Sequence, residues 1–539
     1  MVMPDLGLRL VDLEAVVEPG PATIAMFTDG YAPPEQVRAA TSSVPIAAEM
    51  HLFGLGALLF FVVGGVHPVL AADSPPARSV ESRIGHRLDV FERTNPAAGL
   101  FAPLIKGLMA SEPAHRWSLS QATAFLAVPA APTRPAASDA VESPDVELLL
   151  RDGIAHLLDE MTPGQEHLWA PSPETADCDP CSVQHGAAGE LLVLAACLDQ
   201  PAPVADRARF EETLTVGGQW LATRLERSPK HLPGLHFGHS GAAWALYECG
   251  RVLGQLELQK IAIELANLMP VTWPNPDICH GAAGSGTAQL LFWRATGDDR
   301  YLDRVEQCAD SLLASAETRM GEHLWPVPKS FDSAFRGLAY YGFAHGIAGV
   351  ATFLLSAGKA LGRGDYLDAA CGVGQTLAAA AVVRDGAAYW PSEPGAPQLL
   401  THWCSGSSGV GTFLVRLVEE TGDTDFLELA KLAAQAVIRS RWHSSTGSCH
   451  GLAGDGEFLL DLDKAIGTPA QDSAAWELYE TLAARTVRRN GRLLLVDESG
   501  LHTTTGYGTG IAGVLAFLLR LTRGGRRLLM PPTASARQV

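Results

Sequence analysis

Residues 449–462 read CHGLAGDGEFLLDL, a glycine pair spaced G-x-x-G that opens directly into an apolar run. One such copy is an ordinary helix entry. Six further copies change its meaning: HGAAGELLVLAAC from His185, GHSGAAWALYEC from Gly238, HGAAGSGTAQLLFW from His280, HGIAGVATFLL from His345, CSGSSGVGTFLVRL from Cys404 and GTGIAGVLAFLLRL from Gly508. Their second glycines are Gly189, Gly241, Gly284, Gly349, Gly409, Gly454 and Gly513, so the repeat recurs every 43 to 65 residues. At a 1.5 Å rise per helical residue, that interval holds two helices and their loops. Each unit reads as a loop ending in glycines, then an apolar inner helix, then an amphipathic outer helix such as DYLDAACGVGQTLAAAAVV at 365–383 or DFLELAKLAAQAVIRSR at 425–441. Inner helices that are apolar all round must be covered on every side. Seven hairpins of this kind close into a double ring, so the predicted fold is all-α, an α/α toroid.

Composition narrows the class. The 539 residues are 47% hydrophobic and 18% charged, which excludes bulk disorder and long coiled coils. Acidic residues outnumber basic ones 59 to 40, for a net charge of −19, and no stretch gathers enough Lys and Arg to follow a phosphate backbone, so nucleic acid is not an expected partner. Nine cysteines, an odd number, and the absence of a basic segment followed by an apolar one at the N-terminus predict a reducing cytoplasm with free or metal-binding thiols. The run LFGLGALLFFVVGGVHPVLAA at 52–72 is broken by His67 and Pro68; its 15 unbroken apolar residues fall short of the roughly 20 a membrane span needs, so it reads as a buried helix.

In a toroid the inner helices start at one end, and the residues just before each first glycine converge there. Cys404 lies two residues before Gly406, Cys449 two before Gly451, and His450 one before Gly451. Two thiols and an imidazole with a fourth position open are the ligand set of a catalytic zinc site, one ion per chain. Such a centre is close to neutral, which leaves a fourth-position thiolate nucleophilic. His345 lies one residue before Gly346, the position His450 fills two repeats later, and is a candidate acid or base. Asp277, four residues before Gly281, is placed to orient a proton donor. Several residues look alike without the same support: Cys279-His280 repeats the Cys-His-Gly triplet, His185 and His239 also sit at helix entries, and Cys178-x-x-Cys181 lacks a second pair.

The combination of HWCSG at 402–406, SCHGLAG at 448–454, AHGIAG at 344–349 and the seven G-x-x-G entries resembles the lanthionine synthetase C-like family over about residues 150–525. The resemblance implies a zinc-dependent cyclase that adds peptide cysteine thiols to dehydroalanine or dehydrobutyrine in a ribosomal precursor peptide carrying a leader. It makes Cys404, Cys449 and His450 the zinc ligands, and gives His345, with Asp277, the proton delivery to the α-carbon.

The first 126 residues resemble the last part of a protein kinase catalytic domain. LRLVDLEAV at 8–16 looks like the strand and metal-binding Asp motif, with Asp12-Leu13-Glu14 in place of D-F-G; TDGYAPPEQ at 28–36 looks like the end of an activation loop; LMASEPAHRWSLSQATAFL at 108–126 looks like the closing helices. The resemblance implies an ion pair between Glu35 and Arg116. His51 stands where kinases carry an aspartate, and no glycine-rich loop, strand lysine or H-R-D loop precedes residue 12, so kinase activity is not expected. The predicted organisation is a kinase-like fragment at 1–126, a Pro/Ala/Ser-rich linker at 127–147, the cyclase at 148–525 and a tail at 526–539. The whole looks like the C-terminal part of a class IV lanthipeptide synthetase, with a separate kinase and lyase chain, or a truncated reading frame, accounting for the rest. Two other readings stay open: a glycoside hydrolase of the toroid type using Asp277 and Asp455 as facing carboxylates, and a non-catalytic module that binds a peptide or partner.

Overall fold

The computed structural model describes residues 27–39, 48–128, 145–200, 206–228 and 231–531. The motif expected at 8–16, most of the linker expected at 127–147 and the end of the expected tail lie outside them. The chain divides into two compact units, Met1–Ser143 with Ala483–Asn490, and Pro144–Leu482 with Gly491–Val539.

The N-terminal unit contains α1 (Pro34–Ala39), α2 (Ala48–Gly64), α3 (Val80–Glu92), α4 (Pro96–Leu108) and α5 (Leu119–Ala127). Helix starts follow local chemistry: Ser79 caps α3, Asn95 caps α4 with Pro96 behind it, and Ser118 and Gln121 form a reciprocal capping box on α5. The apolar run of residues 52–66 becomes most of α2, which buries Phe53 under the Arg116 guanidinium and Phe60 against the Phe91 ring; among the described residues no helix is long and apolar enough to cross a membrane. Arg116, its side chain fully buried, donates to Glu35 at 2.8 and 3.2 Å and to the Ala110 and Glu49 carbonyls. The segment 483–490 folds with this unit: Arg78, Arg83 and Arg87 donate to the Thr486 and Ala484 carbonyls, and Asp73 accepts from the Arg488 amide at 2.8 Å.

The second unit is an α/α toroid. Its inner helices are α7 (Ala187–Leu198), α9 (His239–Leu253), α11 (Ala282–Thr296), α13 (Ile347–Leu361), α15 (Ser407–Thr421), α17 (Leu452–Ile466) and α19 (Ile511–Arg523). Each packs on the next, and α19 packs on α7, so the ring closes. The outer positions are taken by α6 (Val146–Asp159), α8 (Arg207–Arg227), α10 (Leu256–Leu268), α12 (Arg300–Ser315), α14 (Gly364–Ala380), α16 (Thr424–Ser440) and α18 (Ala475–Ala483). The sequence pattern of inner helix followed by outer helix leaves α19 without a successor. The helix that covers it is α6, from before the first repeat; a Cβ at its Gly153 would lie 2.7 Å from Leu515 and 3.2 Å from Ile511 of α19. Residues 526–530 of the expected tail also belong to this unit, with Leu529 and Met530 buried and Arg527 bonded to Asp461 and Thr412.

The G-x-x-G signature has a steric cause. In all seven repeats a Cβ on the second glycine would collide with the carbonyl of the residue six positions earlier, for example at 1.9 Å between Gly409 and Trp403 and 2.0 Å between Gly454 and Ser448. Only a residue without a Cβ lets each entry loop fold back over its own helix. The folded-back loops then join. Around the mouth, backbone amides donate to the next loop in an unbroken circle: Gln184 to His236 (3.0 Å), His236 to Cys279 (3.2 Å), Cys279 to Ala344 (3.3 Å), Ala344 to Cys404 (3.0 Å), Cys404 to Cys449 (3.3 Å), Cys449 to Gly508 (2.9 Å) and Gly508 to Gln184 (2.9 Å).

Candidate metal centre

That circle fixes seven equivalent positions, each two residues before a first glycine, and a second set of seven one residue later. Cys404 and Cys449 are neighbours in the first set. His450 belongs to the second and extends from the same loop as Cys449. The ligand atoms of these three lie within 4.8 Å of one another, with Cys449 Sγ 3.6 Å from His450 Nε2. Both cysteines are buried, while His450 is half exposed at the mouth.

Electrostatics at this cluster favour a cation. A hydrogen bond from Cys449 and, against burial, bonding and charge from His450 hold the Cys404 thiol well below its ordinary range. Its bond to Cys404, burial and the negative charge of Cys404 push Cys449 the opposite way. His450 is pushed up to about 10 by its bond to Cys404 and then by Glu498. Glu498 accepts from His450 Nδ1 at 3.1 and 3.2 Å and from the Ser445 hydroxyl at 3.2 Å. A carboxylate on the far nitrogen of an imidazole leaves Nε2 free towards the sulfurs, the arrangement that orients metal-bound histidines. The donor set of two soft sulfurs and one imidazole fits zinc, and the ion would take the place of the proton that His450 otherwise carries. Glu498 lies in a loop with no motif of its own, so the sequence offered no sign of it.

A second cluster lies two repeats away around the circle. Asp277 is fully buried; its Oδ2 receives His345 Nδ1 at 3.1 Å, His280 Nδ1 at 3.4 Å and Asn275 Nδ2 at 3.1 Å, and its Oδ1 receives the His280 amide at 2.5 Å. Burial alone would raise this carboxyl, but the bonds from His280 and His345 outweigh it and hold Asp277 well below the ordinary carboxylate range. The two imidazoles stack with centroids 5.1 Å apart, flanked by Phe237 at 4.4 Å from His280 and Phe335 at 4.8 Å from His345. His280, which the sequence presents only as a look-alike, thus shares the carboxylate with His345.

Of the other look-alikes, His185 lies within the field of Glu498 and His450, and burial pushes it below its ordinary range. Cys279 is buried in the circle of backbone bonds. His236, which the sequence did not single out, is buried against Trp403 and is pushed down to about 3 by burial and by Arg527. Cys181 lines a separate cavity of about 840 Å³ with Trp220, Arg224 and His239, and burial pushes its thiol up to about 12, so that cavity holds no ready nucleophile. Neither carboxylate of the hydrolase reading is available at the mouth: Asp277 is occupied by two histidines, and Asp455 is completely buried in the first turn of α17, where burial and then negative Cys404 push it up to about 8.

Comparison with known proteins agrees with the toroid fold. A family model described as "Lanthionine synthetase C-like protein" matches residues 177–531. Among solved structures, nisin cyclase superposes with a TM-score of 0.55 at 16% identity, covering 71% of this chain and 96% of that one. Unsaturated glucuronyl hydrolase from Bacillus sp. GL1 reaches a TM-score of only 0.38 at 16% identity, over 63% of this chain and 96% of its own. Among curated proteins, glutathione S-transferase LANCL1 of Danio rerio is 30% identical over 166 residues, 31% of this chain; the match spans 40% of that protein's length.

Proposed function

The chain belongs to the lanthionine synthetase C-like family, and from that premise we propose that it is a zinc-dependent thioether cyclase acting on a dehydrated ribosomal precursor peptide. The observation that carries the reading is the convergence of Cys404, Cys449 and His450 on one point at the mouth. Zinc held by these three would lower the pKa of a peptide thiol enough to give a thiolate at neutral pH.

The remaining steps fall to the chain's own residues. Glu498 fixes the His450 tautomer by accepting its Nδ1 proton. Asp277 does the same for His345, which leaves His345 Nε2 turned away from the carboxylate. As the thiolate sulfur bonds to the β-carbon, the double-bond electrons move onto the neighbouring carbonyl as an enolate. Protonated His345 then gives its Nε2 proton to the α-carbon, and the thioether ring is complete. The peptide carries a leader, and its dehydro residues come from kinase and lyase chemistry that acts before cyclisation. In this reading the N-terminal unit is kinase-like, with its Glu35–Arg116 pair fixing its fold, and the free cysteines fit a cytoplasmic setting.

Ring closure leaves the peptide mass unchanged, so the assay counts free thiols by alkylation after incubation with a dehydrated peptide. About one zinc per wild-type chain, lost in Cys404→Ala and Cys449→Ala together with thiol consumption, supports the reading. A folded, reduced wild type without zinc overturns it. A second reading rests on the curated relative named as a glutathione S-transferase: the same donor set would serve glutathione as the thiol, adding it to an external electrophile. A mass increase of one glutathione on the dehydrated peptide, with its own thiols intact, would favour that reading.

A further inference from the structure

Resting on the cyclase reading, we propose that His280 is a second catalytic residue of this site, the base that takes the proton from the incoming peptide thiol while His345 holds the one destined for the α-carbon. Addition of a thiol across a double bond moves one proton off sulfur and one proton onto carbon, at different times and places. One histidine could serve both transfers only by facing the sulfur first and the α-carbon later. A second imidazole lets each transfer have its own group, and the circle of entry loops supplies one in the adjacent repeat.

Three observations single out His280. Its side chain, like that of His345, is partly open to the mouth, at 31% and 21% of full exposure. Both imidazoles use Nδ1 on the same oxygen, Asp277 Oδ2, which leaves both Nε2 atoms free to exchange protons with substrate. Each ring also lies against a phenyl face, His280 on Phe237 at an interplanar angle of 3° and His345 on Phe335 at 24°. An aromatic face attracts a cation formed on the ring upon it, so each phenyl ring is placed to support the positive charge its imidazole carries during one stage of the reaction. The proton count balances. Before reaction His345 is charged and His280 neutral. The thiol proton moves to His280 Nε2, and the positive charge gained offsets the thiolate. Carbon–sulfur bond formation makes the enolate, His345 Nε2 delivers its proton to the α-carbon, and the trio is left with one positive charge, on His280, which returns to His345 through water. His280 also interacts electrostatically with His236, which burial keeps neutral.

The test uses the full zinc-loaded chain and a dehydrated peptide. Gln at this position keeps a donor for Asp277 but cannot take up a proton. His280→Gln is expected to lower kcat about 100-fold, with KM and zinc content unchanged and with the rate recovering as pH rises and hydroxide replaces the base. His280→Ala is expected to regain activity with added imidazole. A wild-type rate and pH profile in His280→Gln would overturn the proposal and leave His280 as a support for Asp277. A second zinc per wild-type chain that disappears in His280→Gln would also overturn it, by making the trio a metal site. A wild type that takes up zinc but never consumes the peptide thiol removes the cyclase reading itself, a result distinct from a variant that works as well as wild type.

Discussion

Glu498 holds His450 from 48 residues away in the chain, its two oxygens 3.1 and 3.2 Å from Nδ1. Supporting carboxylates of this kind are worth about 10- to 100-fold in metal affinity. Glu498→Ala is expected to weaken zinc binding by that factor while leaving the helical content intact. Competition against a chromophoric chelator reads the affinity directly. An unchanged affinity would mean that His450 needs no help to face the sulfurs.

The carboxyl of Asp455 gives a pH signature. Burial, offset only in part by the Ser408 and Ser444 hydroxyls, pushes it from an ordinary 3.8 up to about 8. The folded chain therefore keeps this proton over a range where the unfolded chain has lost it, so this group's contribution to stability falls as pH rises from about 4 to about 8. Asp455→Asn removes the penalty. In zinc-free protein the variant is expected to melt at least about 3 °C above wild type at pH 8 and to converge on it near pH 4. Equal differences at the two pH values would show that the carboxyl does not titrate in this window.

Inner helices approach through glycine. A Cβ on Gly411 of α15 would lie 2.3 Å from the Phe458 ring of α17, which has no exposed surface and no room to retreat. Gly411→Ala is expected to cost about 1–3 kcal/mol, read by urea unfolding of the full chain. Adding Phe458→Leu should return part of that loss, because the two changes share one contact.

In the N-terminal unit, Arg116 is buried on Glu35 and two carbonyls. Arg116→Ala leaves these acceptors unpaired and is expected to destabilise the unit by about 3–5 kcal/mol. Limited proteolysis should then cut within 27–128 first, with zinc content unaltered. Cleavage at the wild-type rate would show that the pair contributes little.

Much of the toroid was legible in the sequence because its cause is local. The second glycine must clear a carbonyl six residues back, so the signature repeats wherever an inner helix begins. Cys404, Cys449 and His450 could be set together for the same reason, since their offsets from that signature are fixed. What was hidden depends on contacts between distant segments. That α6 covers α19 follows from ring closure, through Gly153 and Leu515, which no spacing rule relates. Glu498 reaches His450 from an irregular loop. His280 read as a look-alike because its partner in function sits 65 residues further on, and the two share Asp277 only once the entry loops of repeats three and four lie side by side.

The circle of backbone bonds from Gln184 through Gly508 and back has a consequence for how the molecule comes apart. An open stack of helical hairpins frays from its terminal members, which have a neighbour on one side only. A closed circle has no terminal member. Removing any one hairpin breaks two interfaces and two backbone bonds at once, so the second unit should melt in a single step, and Cys404 and Cys449, held in adjacent hairpins, should part only when the whole ring does.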